Sequence, residues 1–271
     1  MRTEQVHLTG ERETLLGTLY ARALDARSPH SLLCDQTAEE TVRRIDYDFR
    51  KLGVRRRDSV MIALRARRLD LWTAEFIAEH PDATVLHLGC GLDSRVLRVN
   101  PPASVHWFDL DHPEVIELRR RLYPQRDGYH TIGSSVTDPS WLNEIPADRP
   151  AMIVAEGLTM YLSECDIRQL IERLTCRFPS GQLAFDACTR LGVRLTQRHP
   201  IVKATGACLG WGVDDPRALE QWIPGLEFVT ELPYTDVPEI DALPLASRLL
   251  YCAMIRIPPL RTLARLLRYR F

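Results

Sequence analysis

A chain of 271 residues, 45% of them hydrophobic and 26% charged, can bury a sizeable core as one domain or one domain with an appendage. Its formal net charge of −1 provides no overall field to recruit nucleic acid or a membrane surface. No run approaches the ~20 apolar residues of a bilayer span, and the start, Met1 to Leu8, lacks the apolar core of a secretory signal.

The first eighty residues read as a helical cap. Helices are expected over Thr14 to Arg22, over Thr37 to Phe49, where Val42, Ile45 and Phe49 recur at helical spacing, and over Ser59 to Ala78, stopped by Pro81. From residue 81 onward the rhythm changes to alternating strands and helices. Strands are expected at Val85–Leu88, Val105–Phe108, His130–Ile132, Ala151–Ala155 and Gln182–Phe185. Helices are expected at Leu92–Val99, closed by Asn100-Pro-Pro, at Pro113–Leu122, Ser163–Arg177 and Thr189–Gln197. This alternation predicts an α/β fold: a Rossmann-like, doubly wound, mostly parallel sheet over residues 81–271, forming one structural unit with the cap. Residues 199–226, rich in Gly and Pro, read as a loop-rich or lid-like insertion. Phe228–Glu231 reads as a later strand, and Leu243 to Leu266 as two helices. Leu267, Tyr269 and Phe271 read as the inward face of a closing strand.

The first strand runs into Gly89-Cys90-Gly91-Leu92-Asp93-Ser94, and the second into Phe108-Asp109-Leu110-Asp111. Two glycines after a strand let the backbone turn sharply and approach a ligand. An acid roughly twenty residues on can accept both hydroxyls of a ribose. Asp109 and Asp111 both qualify. A dinucleotide site places a third glycine where Ser94 stands, to set a helix terminus on a pyrophosphate. Asp93 would repel that group and welcome a positively charged cofactor. S-adenosyl-L-methionine has a ribose, a sulfonium and an ammonium, and no phosphate.

Other residues at the expected carboxyl edge of the sheet extend the site. Glu156 ends the fourth strand, where it can bind an ammonium or the ribose region, and Tyr161 lies five residues on as a pocket or core tyrosine. Arg65, Arg67 and Arg68 supply guanidiniums able to hold a carboxylate by two parallel hydrogen bonds. The loop Gly133 to Asp138 is placed to meet an adenine, with Asp138 equally suited to cap a helix. Cys90 has no neighbouring activator in sequence and reads as a packing residue, and His112 and His199 read as solvated or packing histidines. Seven cysteines, an odd number with no Cys-x-x-Cys pair, fit reduced thiols in a cytoplasmic protein, and eight scattered histidines suggest no metal site.

Three ordered blocks carry a family resemblance: Val85-Leu-His-Leu-Gly-Cys-Gly-Leu-Asp-Ser-Arg95, Phe108-Asp-Leu-Asp-His-Pro-Glu-Val-Ile116 and Ala155-Glu-Gly-Leu-Thr-Met-Tyr-Leu162. With Ala21–Pro29 and Ala63–Asp70, they resemble the leucine carboxyl methyltransferase family, above all its bacterial branch, which includes carboxyl methyltransferases of the tetracenomycin type. The resemblance implies a class I S-adenosyl-L-methionine-dependent O-methyltransferase of secondary metabolism. It would act by in-line displacement on a small-molecule or peptide acceptor bearing a carboxylate or a phenol, and not on nucleic acid or a membrane. By position, it implies Gly89 and Gly91 at the cofactor's amino-acid end and Asp111 at the ribose, with Asp109 as the alternative. Ser135 and Val136 fall on the adenine side, Glu156 on a cofactor contact, and Arg67 on the carboxylate-binding arginine, with Tyr161 beside the acceptor. Eukaryotic members also use a lysine in the N-terminal region; here Arg22 or Arg27 would have to take that place. Two rival readings are an NAD-linked oxidoreductase and a non-catalytic binding protein on a similar sheet.

Overall fold

The computed structural model describes residues 3–6, 8–234, 236, 240, 248–249, 256 and 261–271. Its centre is a seven-stranded sheet: β1 (Thr84–Leu88), β2 (His106–Asp111), β3 (Tyr129–Gly133), β4 (Ala151–Ala155), β5 (Gly181–Cys188), β6 (Glu227–Pro233) and β7 (Ala264–Arg270). The order across the sheet is β3-β2-β1-β4-β5-β7-β6, and only β7 runs against its neighbours. The chain reverses direction across the sheet between β1 and β4, the switch point where open α/β sheets bind ligands.

Burial explains the apolar runs. All five residues of β1 and of β4 are buried, as expected for parallel strands covered on both faces. Alternate residues feed two cores. Leu86, Leu88, Phe108, Leu110 and Ile153 pack with Trp141, Ile167, Ile171 and Leu174. Val85, Trp107, Met152 and Val154 pack with Leu64, Leu69, Trp72 and Phe76 on the other face. Those last four belong to α3 (Arg56–Glu79), so this helix of the expected cap is itself a layer of the sheet domain. The remaining cap helices, α1 (Thr14–Ala26) and α2 (Gln36–Arg44), join it through a third cluster around Leu16, Leu19, Ala38 and Leu92.

Termini follow local chemistry. The helix α4 (Arg95–Val99) ends where Asn100 takes a left-handed conformation before Pro101. The helix α5 (Pro113–Leu122) opens on the expected proline, and α6 (Glu164–Arg177) on a Ser163–Asp166 capping box.

Three expected elements differ. The second helix stops at Arg44 because Ile45 and Asp46 form a short parallel pair with Glu4 and Gln5; Phe49 is still buried, in a 3-10 turn over Phe49–Leu52. After α7 (Arg190–Thr196), the 199–226 segment holds α8 (Pro200–Thr205) and a 3-10 turn over Pro216–Gln221, and it sends Trp211, Val213, Leu219 and Ile223 into the core. Most of the two helices expected over Leu243 to Leu266 lie outside the described residues, but Ala264 to Leu266 belong to β7. There Leu267 and Tyr269 face inward as expected, and Leu266 is equally buried on the opposite face. Among the described residues, no helix is long and apolar enough to cross a membrane.

Candidate functional site

The turn after β1 is built for close approach. Gly89 and Gly91 have φ of +63° and +49°, the left-handed region that favours glycine. A Cβ on Gly89 would lie 3.1 Å from the Leu158 side chain, and one on Gly91 would lie 3.2 Å from Leu15. The Gly91 amide donates to Asp111 Oδ2 at 2.7 Å, and the His112 amide to Oδ1 at 2.7 Å. Asp111 is therefore fixed at the rim between β1 and β2. Burial raises its pKa, and the two amides act against that rise.

Asp109 lies one pleat deeper on the same face, where its acceptor sites are already taken up. It is fully buried. It accepts hydrogen bonds from the Trp107 indole at 2.9 Å, the Tyr129 hydroxyl at 2.8 Å and Arg119, and pairs with His87 Nδ1 at 3.1 Å. Although burial opposes ionisation, Arg119, His87 and Trp107 hold its pKa down to about 2. His87 Nε2 faces Arg95 Nη1 at 2.9 Å. An arginine can only donate, so Nε2 accepts and Nδ1 carries the proton.

A buried ionic cluster fills the space between the tips of β1, β4 and β5. Glu156 accepts from Arg22 of α1 at 2.9 Å, from Arg65 of α3 at 3.0 Å and from Arg95 of α4. These three guanidiniums outweigh burial and hold the Glu156 pKa down to about 2. Asp93 sits among Arg22 at 3.0 Å, Arg98 at 2.7 Å and Arg95 at 3.6 Å, which keep it well below the ordinary carboxylate range against the opposing effect of burial. Asp70 and Asp35 close the far side on Arg95 and Arg98. Asp186, near the end of β5, takes Arg65 Nη1 at 2.9 Å. Linked in this way are the carboxylates Asp35, Asp70, Asp93, Glu156 and Asp186 and the guanidiniums Arg22, Arg65, Arg95 and Arg98. Among the described residues the linked acids exceed the arginines by one, a balance that suits a ligand with net positive charge.

Arg67 is not in this cluster, whereas Arg65 is. The side chain of Arg67 is exposed, whereas Arg65 is only 8% exposed. Two residues along a helix turn the side chain by about 200°, so both cannot face the sheet. Arg22, not Arg27, occupies the N-terminal basic position: Arg27 lies outside on Glu39.

Two buried atoms test the fit of the implied cofactor. Arg22 Nε has no acceptor, and Asp93 Oδ2 has no hydrogen-bond donor. An unsatisfied donor on Arg22 and an Asp93 oxygen held by ion pairs alone match a zwitterionic amino-acid end, whose carboxylate and ammonium would give both a hydrogen-bond partner.

Val136 is buried in the core, and the Ser135 hydroxyl pairs with Thr137 at 2.8 Å. The Ser134 amide ties this loop to the Asp111 carbonyl at 2.9 Å. Asp138 caps the following 3-10 turn through the Ser140 amide. Tyr161 is half-buried, its hydroxyl donates to Thr14 Oγ1 at 3.4 Å, and burial raises its pKa. Burial also raises the Cys90 thiol well above its ordinary value, so it stays protonated and packs. His112 and His199 cap α5 and α8. Asp186 was not anticipated. It lies inside the apolar run Leu183-Ala-Phe-Asp-Ala-Cys188, two residues before the strand ends, so an acid interrupting a buried strand was the available signal.

The comparisons converge with this geometry. The model of the leucine carboxyl methyltransferase family matches residues 15–175. The tetracenomycin polyketide synthesis O-methyltransferase TcmP of Streptomyces glaucescens is 49% identical over 269 residues, covering 99% of each chain. The S-adenosyl-L-methionine-dependent methyltransferase dpfgK of Gibberella zeae is 37% identical, covering 83% of this chain and 82% of its own. The crystal structure of a candidate methyltransferase from Thermobifida fusca superposes with a TM-score of 0.57 at 18% identity, over 92% of this chain and 93% of that one, and supports the fold. The cofactor is S-adenosyl-L-methionine, and the oxidoreductase and non-catalytic readings fall away. This chain belongs to the leucine carboxyl methyltransferase family and is an S-adenosyl-L-methionine-dependent O-methyltransferase.

Proposed function

We propose that the acceptor is a polyketide-like small molecule methylated on a carboxylate, and that Arg65 orients that carboxylate. The observation that carries this reading is the position of the Arg65 guanidinium, between Glu156 after β4 and Asp186 on β5. Asp111 would hold the ribose over β1 and β2, with Ser135 and Val136 on the adenine side and the Gly89–Gly91 turn beside the amino-acid end. Arg22 and Asp93 would take the amino-acid end. That leaves the tips of β4 and β5 to the acceptor, with Arg65 and Tyr161 beside it.

When bound, the cofactor supplies an electrophilic methyl group on a sulfonium. A carboxylate is ionised at neutral pH and needs no base, whereas a phenol with a pKa of about 10 does. Glu156 and Asp186 are committed to guanidiniums, so neither is a free base. The protein's task is then to align the acceptor and to exclude water. Leu15 and Leu158 pack against the glycine turn and serve the second purpose. The relative's role in tetracenomycin polyketide synthesis favours a polyketide acid over a peptide or a nucleic acid. Residues 1–80 act as a cap that supplies Arg22 and Arg65, and 199–226 flank the site. Six described cysteines are unpaired, which fits a cytoplasmic enzyme.

Methyl-labelled cofactor offered with an aromatic polyketide acid should give a base-labile ester, and the acid's pre-formed methyl ester should stay unlabelled. Equal labelling of that ester on a phenol would overturn the carboxylate assignment. Asp111→Asn should weaken cofactor binding by about tenfold in calorimetry with the fold intact, because it keeps the shape but loses the charged acceptor of ribose hydroxyls; unchanged affinity would move the ribose elsewhere.

A further inference from the structure

Asp186 lies beyond residues 15–175, over which the family model matches. It is 1% exposed near the end of β5. Its carboxylate accepts from Arg65 Nη1 at 2.9 Å, from the Gly157 amide at 2.5 Å and from the Tyr234 hydroxyl at 3.1 Å. Only the first of these partners is charged, and Arg65 is shared with Glu156. Glu156 and Asp93, by contrast, each face three guanidiniums. Asp35 also meets a single guanidinium, at the start of α2, where it accepts from the Ser94 hydroxyl after β1. Of the two acids that meet one guanidinium among the described residues, Asp186 is the one on the strand beside β4, at the side assigned to the acceptor, which the transferred methyl group has to face; the inference rests on that placement.

We infer that Asp186 is a specificity-determining residue that makes this site hold the positively charged methyl donor in preference to its neutral product. Methyl transfer forms an O–CH3 bond and breaks the S–CH3 bond, so the sulfonium becomes an uncharged thioether, and a carboxylate acceptor becomes an uncharged ester with no proton released. Donor and product differ by one charge at sulfur, and a nearby buried carboxylate registers that difference because water does not screen it. Asp186 acts at a distance, through its charge, and not by contact.

The experiment compares affinities for S-adenosyl-L-methionine, S-adenosylhomocysteine and sinefungin, whose ammonium stands where the sulfonium carries its methyl, by calorimetry. It needs no acceptor and so is independent of the carboxylate reading. Asp186→Asn should lower the preference for the two cationic ligands over S-adenosylhomocysteine by about tenfold, or about 1.4 kcal/mol. Asp186→Glu, which keeps the charge, and Tyr234→Phe, which removes only a neutral partner, should keep the preference within about twofold of the wild type. A merely structural residue would weaken all three ligands in parallel and leave the ratio fixed; that result overturns the inference, as does an equal loss of preference in Tyr234→Phe. If Asp186→Asn fails to fold, a reduced preference in Asp186→Glu overturns it, and a retained one beside an unchanged Tyr234→Phe supports it.

Discussion

Glu156→Gln should lose about 3–5 kcal/mol of stability, because removing one partner of a buried ionic group leaves the others uncompensated. Here Arg22, Arg65 and Arg95 would all lose their common counter-charge inside the protein. Cofactor binding should fall with it, since Arg22 and Arg65 are positioned by that carboxylate. The same variant tests the acid limb of stability. The Glu156 pKa is depressed in the folded protein to about 2, from an ordinary 4.5. A depressed carboxylate stabilises the fold at pH above its unfolded value, and that stabilisation is lost as the pH falls from about 4.5 to about 2. Urea unfolding at a series of pH values should show the wild type weakening across that window, with a slope smaller by roughly one proton in Glu156→Gln. Asp109, held down to about 2 by a separate set of donors, keeps contributing in both proteins. Identical slopes would mean that Glu156 is not held ionised by its arginines.

Arg65→Lys should reduce methyl transfer by about a hundredfold or more while the protein stays folded. A lysine keeps the positive charge but loses the planar fork, and so it cannot bond Glu156 and Asp186 while facing a carboxylate. Misplacing an oriented group by about 1 Å can cost about a hundredfold in rate. Arg67→Ala should leave turnover within about twofold of the wild type, because that side chain is exposed. Steady-state assays of the two variants with the same polyketide acid decide the matter. The opposite pattern, with Arg67→Ala inactive and Arg65→Lys active, would return the role to Arg67.

Periodicity located most of the scaffold because burial imposes it. The apolar runs at 84–88 and 151–155 are strands covered on both faces, and Pro81, Pro113 and Asn100 mark helix boundaries by backbone chemistry that acts within a turn. The segment over 45–49 departs from the expected helix although its apolar spacing suits one, because Ile45 gains a strand partner from Glu4, 41 residues earlier in the chain. That partner is invisible to a local pattern.

The chain itself determined the glycine turn, the acid-tipped strands and the choice of a cationic, phosphate-free cofactor, since each follows from residue type and short spacing. Only the tertiary structure separates Asp109, which is buried among side-chain donors, from Asp111, which lies at the rim on two backbone amides, though both share one face of β2. It likewise separates Arg65, buried in the ionic cluster, from Arg67, exposed two residues further round α3. Arg22 meets Glu156 across 134 residues of chain, and Arg65 meets Asp186 across 121. An ionic cluster of that kind has no sequence period, because its geometry exists only once the helices have packed over the strand tips.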